Sequence, residues 1–115
     1  MVPVALQLLN YRAAASQHGQ ATAMGDSRTA NRQYRHVVRA YHALQQHGAG
    51  AIAQLLPLLD EDDLAVATWA ATHLLPYHEP AATAALLRIS QQPGIVAFGA
   101  AMVLQEWENG RLRIE

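Results

Sequence analysis

Residues 55–75 and 85–105 follow one pattern at a displacement of 30. Leu56 answers to Leu86, Leu59 to Ile89, Val66-Ala67 to Val96-Ala97, Ala70-Ala71 to Ala100-Ala101, and Leu74 to Leu104. Each unit reads as helix, short turn, helix, and the alanine pairs allow neighbouring helices to approach closely. A helical chain with a period of about 20–50 residues stacks its units, because one unit cannot bury its apolar face alone, and about three units are needed. This repeat predicts an all-α chain of about six helices arranged as three stacked antiparallel hairpins, a right-handed α-solenoid. The expected organisation is a single domain over 1–115, with a helical hairpin over 1–48 and repeat units over about 51–75 and 80–108.

The remaining punctuation agrees with helices. Val and Ile are sparse, and the apolar residues recur at helical spacing. A first helix is expected over 3–18, starting at Pro3. The polar, glycine-flanked stretch 18–25 reads as a connection. Asp26 or Ser27 then caps a second helix that runs to about His47 and stops at Gly48 and Gly50. A third helix is expected from Ala51 to Leu59, with Pro57 kinking or ending it. An acid of Asp60-Glu61-Asp62-Asp63 should cap a fourth helix, from Leu64 to Leu75. The fifth runs from Glu79-Pro80 to near Gln92, and the sixth from Ile95 to Glu108, closed by Asn109-Gly110.

The second helix carries the clearest pattern. Ala30, Tyr34, Val37, Val38, Tyr41 and Leu44 form an apolar stripe. Arg28, Arg32, Arg35 and Arg39 step by four, three and four residues and fall together on the opposite face. The net charge of −1 conceals a division. Residues 1–50 hold five arginines against Asp26, a balance of +4, whereas residues 51–110 hold seven acids against Arg88, a balance of −6. Such polarity suits a charged partner.

The segment Leu55-Leu56-Pro57-Leu58-Leu59-Asp60, continued by Leu64-Ala65-Val66-Ala67, Trp69-Ala70-Ala71 and Leu74, resembles a HEAT repeat. Where HEAT units often place Arg after the Val, this chain has Thr68 and Trp69. A longer stretch, residues 10–112, resembles a family of short bacterial proteins, the domain of unknown function numbered two thousand and nineteen. The motifs are Gly25-Asp26 with Ala30-Asn31-Arg32 and Tyr34, the Leu55–Asp60 block, Trp69-Ala70-Ala71 with His73-Leu74-Leu75, and a final block. That final block holds Pro93-Gly94, Phe98, Met102, Leu104, Glu106-Trp107 and Gly110-Arg111-Leu112. The resemblance implies a HEAT-like fold and little about activity. Some short HEAT-like bacterial proteins serve as immunity partners of toxins, an analogy of fold.

Chemistry is hard to find in this sequence. There is no cysteine, so thiolate metal sites and disulfides are excluded. His36, His42 and His47 are separated by six and five residues, and His73 and His78 by five, which is not the spacing of two ligands on one helix face. The run of acids lacks the glycine and distal glutamate of a calcium loop. No Ser-His-Asp set or glycine-rich phosphate loop stands out. Trp69, Phe98, Trp107, Tyr34, Tyr41 and Tyr77 read mostly as core residues, with Trp69 and Phe98 packing between hairpins. The start lacks the basic and apolar runs of a signal peptide, and no stretch is apolar enough to span a bilayer, so a cytoplasmic protein is expected.

The expected function is therefore non-enzymatic protein binding without a cofactor. The partner expected is a toxin effector domain, with no membrane involved. The contact residues would be Arg28, Arg32, Arg35 and Arg39 together with Asp60, Glu61, Asp62 and Asp63. The alternative is nucleic-acid binding through the arginine stripe.

Overall fold

The computed structural model of the chain describes residues 2–115, and among these it is all-helical: six α-helices, one 3₁₀ turn and no strand. The chain divides into two compact units, one running to Leu55 and the other from Leu56 to Glu115.

In the first unit, α1 (Val4–Ala23) and α2 (Ser27–Gln46) pack along each other as a helical hairpin, and the short α3 (Ala49–Ala53) packs on α2. Helix α2 buries Val37, Ala40, Tyr41 and Leu44, one face at helical spacing. Helix α1 sets Tyr11, Ala14, Ala15 and Ala21 inside. Three of the six residues of the expected apolar stripe, Val37, Tyr41 and Leu44, are thus buried, and Ala30, Tyr34 and Val38 are half-buried.

Helix α1 is longer than the sequence predicts. It continues through the expected connection, and the turn is reduced to Met24-Gly25-Asp26. Gly19 inside a helix costs about 1 kcal/mol relative to alanine, too little to stop one supported by tertiary packing. The true stop is Gly25, whose φ of +72° is left-handed. That conformation lets the Asp26 N–H donate to the Ala21 carbonyl at 2.8 Å and the Gly25 N–H to the Thr22 carbonyl at 3.1 Å, satisfying carbonyls that the helix end leaves open.

The third expected helix is broken. Helix α3 starts earlier and ends at Ala53, and residues Leu56–Asp60 form a separate 3₁₀ turn, η1. Pro57 has no N–H for the Ala53 carbonyl and its ring crowds that position, while Leu56 before it is biased away from the α conformation. The chain tightens ahead of the proline: the N–H groups of Gln54 and Leu55 bond to the carbonyls of Ala51 and Ile52, each three residues back.

In the second unit, α4 (Leu64–Leu74) packs against η1, α5 (Glu79–Ser90) and α6 (Ile95–Glu108), and α5 packs against α6. Helix α4 buries Ala65, Val66, Ala67, Ala70, Ala71, His73 and Leu74, as expected of a helix apolar nearly all round. Helix α5 contributes Ala82, Ala85, Leu86 and Ile89, and ends at Ser90, two residues before the expected limit. The repeat pairs Ala67/Ala97 and Ala70/Ala100 are buried in both copies.

Two aromatic expectations are corrected. Phe98 is 66% exposed and Tyr77 42% exposed. Helix α6 buries Ala97 and Ala100, and Phe98 lies one residue, or about 100°, around the helix from Ala97. Its counterpart at the 30-residue displacement is Thr68, not Trp69. Trp69 is half-buried and packs against His73 in a tilted arrangement, ring centroids 5.6 Å apart and planes at 35°.

Candidate partner-binding surface

The arginine ridge belongs to α2, whose start is fixed by Asp26. The Asp26 carboxylate accepts the Thr29 N–H at 3.1 Å, as the sequence predicts of a capping residue. Hydrogen bonds from Thr29, side chain first and then backbone, hold the Asp26 carboxyl below its ordinary value, with the Arg32 charge adding to the effect. Arg28, Arg32, Arg35 and Arg39 are all exposed. Arg32 makes one long contact, donating to the Thr29 hydroxyl at 3.5 Å. The guanidinium groups of Arg28, Arg35 and Arg39 have no partner among the described residues. A row of positive charge therefore stands ready for an external anion.

The four acids of the second unit do not form a uniform patch. Asp63 is engaged as the cap of α4, its carboxylate accepting the N–H groups of Ala65 at 3.0 Å and Val66 at 3.4 Å. Asp60 closes η1 and stands 4.0 Å from the Arg88 guanidinium. Glu61 is half-exposed and Asp62 exposed. Asp60, Glu61 and Asp62 line a shallow hollow of about 260 Å³ together with Arg88, Gln92, Leu59, Leu64, Ala67 and Ile89. The charge division follows the two units: five arginines against Asp26 up to Leu55, and eight acids against three arginines from Leu56, balances of +4 and −5 that return the net −1.

The histidines do not gather. His73 is 2% exposed inside the second unit, whereas Asp62 faces solvent. Among the described residues no three His, Asp or Glu side chains come within reach of one metal ion. His18 is half-buried, and its pKa is lowered by that burial. No helix among the described residues is long and apolar enough to cross a membrane.

One feature of the first unit escapes sequence reading. Gln7, Asn10 and Gln17 of α1 face Gln33, His36 and Arg39 of α2 across an open groove of about 410 Å³. The buried Ala14 and Ala40 form part of its lining. The signal was present in the three- and seven-residue steps between Gln7, Asn10 and Gln17. It becomes a groove only when α1 lies against α2.

No protein-family model, curated protein or solved structure matches the chain.

Proposed function

We propose that this chain is a non-enzymatic protein-binding module, and that it acts in the bacterial cytoplasm as an immunity protein neutralising a cognate toxin by direct contact. The observation that carries this reading is the row of exposed arginines on α2, three of them without an internal partner. Charges left unpaired in this way contribute little to the fold and serve an encounter with an oppositely charged surface. In the second unit, Glu61 and Asp62, which lie with Asp60 and Arg88 around one hollow, are the proposed contacts for a basic side chain of the partner. The 30-residue repeat and the resemblance to the bacterial family support a HEAT-like right-handed solenoid of three hairpins as the scaffold. An interface of standard size, roughly 1,600 Å², is compatible with nanomolar or tighter binding.

The test is to recover the partner on the tagged chain from its native organism, identify it, and reconstitute the pair from purified components. A stoichiometric complex whose partner is toxic when expressed alone, and harmless when co-expressed with this chain, supports the proposal. A partner whose toxicity is unaffected by co-expression removes the immunity role.

The ridge also favours a second reading, nucleic-acid binding. Four phosphate contacts predict that log K falls against log salt with a slope of about −3.6 on duplex DNA. The net charge of −1 opposes this reading.

A further inference from the structure

We propose that the groove between α1 and α2 binds an extended peptide segment bearing one acidic side chain. This rests on the reading of the chain as a protein-binding module and names a recognition site that the ridge and the acidic turn do not include, apart from Arg39.

The groove walls are polar and uncommitted. The side chains of Gln7, Asn10, Gln17, Gln33, His36 and Arg39 make no hydrogen bond, ion pair or ring contact with other described residues. Polar walls of this kind in a helical hairpin add nothing to its packing. The alanines among them are small enough to let a backbone lie close.

The chemistry of the walls selects the ligand. Each amide offers two donors and one acceptor. An extended peptide presents N–H and C=O groups in alternation and can use both ends of each amide. A phosphodiester backbone only accepts, so it would use the amide N–H groups and leave the four amide oxygens without a donor. Arg39 supplies a permanent positive charge with a forked donor set, which fits a carboxylate. The distance sets the length of the segment. Gln7 and Gln17 are ten residues apart on α1, about 15 Å at the helical rise. That span takes four or five extended residues at about 3.3 Å each. The main chain of the segment bonds to Gln7, Asn10, Gln17 and Gln33, and its carboxylate sits on Arg39.

The experiment is a titration of the ¹⁵N-labelled full chain with pools of acetylated, amidated pentapeptides in which Glu is fixed at one position. The side-chain amide signals of Gln7, Asn10, Gln17 and Gln33 are followed. The proposal expects saturable shifts of these four signals. Affinity should fall about ten-fold or more in Arg39→Gln and by a similar factor when the peptide Glu becomes Gln. The variant Gln33→Ala, whose half-exposed side chain makes no hydrogen bond with other described residues, should weaken binding with an unchanged helical spectrum. Three outcomes overturn the proposal: silence of the four amides with every pool, equal affinity for Glu and Gln peptides, or tighter binding of a thymidine tetranucleotide at the same signals. If the groove is silent while charge reversal of Arg28 and Arg35 still weakens a reconstituted partner, the groove assignment fails alone. If no protein partner depends on the ridge but the peptides bind, the reverse holds.

Discussion

Arg88 reaches back 29 residues to the end of η1, where its guanidinium donates to the Leu59 carbonyl at 2.9 Å. The same nitrogen stands 4.0 Å from the Asp60 carboxylate, whose side chain is 88% exposed. The two contacts differ in worth. A charge-assisted hydrogen bond to a carbonyl left open at a helical end is a real constraint, whereas an ion pair this long and this wet contributes close to nothing. Arg88→Ala should therefore destabilise the chain by about 1 kcal/mol in urea unfolding. Asp60→Asn should change stability by less than about 0.5 kcal/mol. Equal losses from the two variants would mean that the ion pair, not the carbonyl bond, anchors η1.

The acidic turn separates into a capping acid, Asp63, and acids proposed to contact a partner. Asp63→Ala should cost about 1 kcal/mol through the loss of the α4 cap, and Asp63→Asn much less, because the amide oxygen still accepts the two N–H groups. Asp62→Lys should leave the melting temperature unchanged and weaken a partner that binds this turn. A thermal scan of the three variants, paired with affinity for the reconstituted partner, resolves the two roles.

Acid should destabilise the first unit in two stages. The pKa of His18 is lowered by burial from its ordinary 6.5, so the folded state binds fewer protons and stability is lost as pH falls through the folded value, below 6.5. Asp26 is lowered from 3.8, chiefly by its hydrogen bonds with Thr29 and then by Arg32, so its contribution is intact above 3.8 and disappears at still lower pH. Unfolding free energy measured from pH 7 to pH 3 should lose its upper slope in His18→Gln. Asp26→Asn, which keeps an accepting oxygen, should flatten the lower one.

Tyr11 is the large residue at the centre of the first unit. It is fully buried beside Tyr41, and burial, with the neighbouring phenol adding, pushes its pKa well above the ordinary 10.0. Tyr11→Ala should cost about 3–5 kcal/mol, a large share of what a small domain has. Because the raised pKa keeps the folded phenol protonated, the wild-type stability term persists below pH 10 and falls as the pH rises toward the folded value. Denaturant midpoints at pH 8 and pH 10.5 check both statements.

Helix type was legible because propensity, periodicity and capping agreed at Asp26, Asp63 and the α2 stripe. The end of α1 was not legible: Gly19 looks like punctuation in the sequence, yet the chain turns at Gly25, and only the left-handed backbone there distinguishes the two glycines. The break at Pro57 was legible as a disturbance, but not as a division between α3 and η1. Phe98 was misplaced because an apolar residue near a buried Ala97 looks like core until the 100° turn between them is applied. The ridge arginines could be read from spacing on one helix. The facing groove could not, since it is made of two helix faces that have no common sequence register.

The proposed function rests on the charged ridge of α2 being a protein-contact surface. Its most direct test is isothermal titration of the reconstituted partner with wild-type chain and with Arg28→Glu, Arg32→Glu, Arg35→Glu combined, each checked for helicity by circular dichroism. A one-to-one wild-type complex, weakened about a hundred-fold or more in the helical variant, is the predicted result. Equal affinity in the two chains would contradict it.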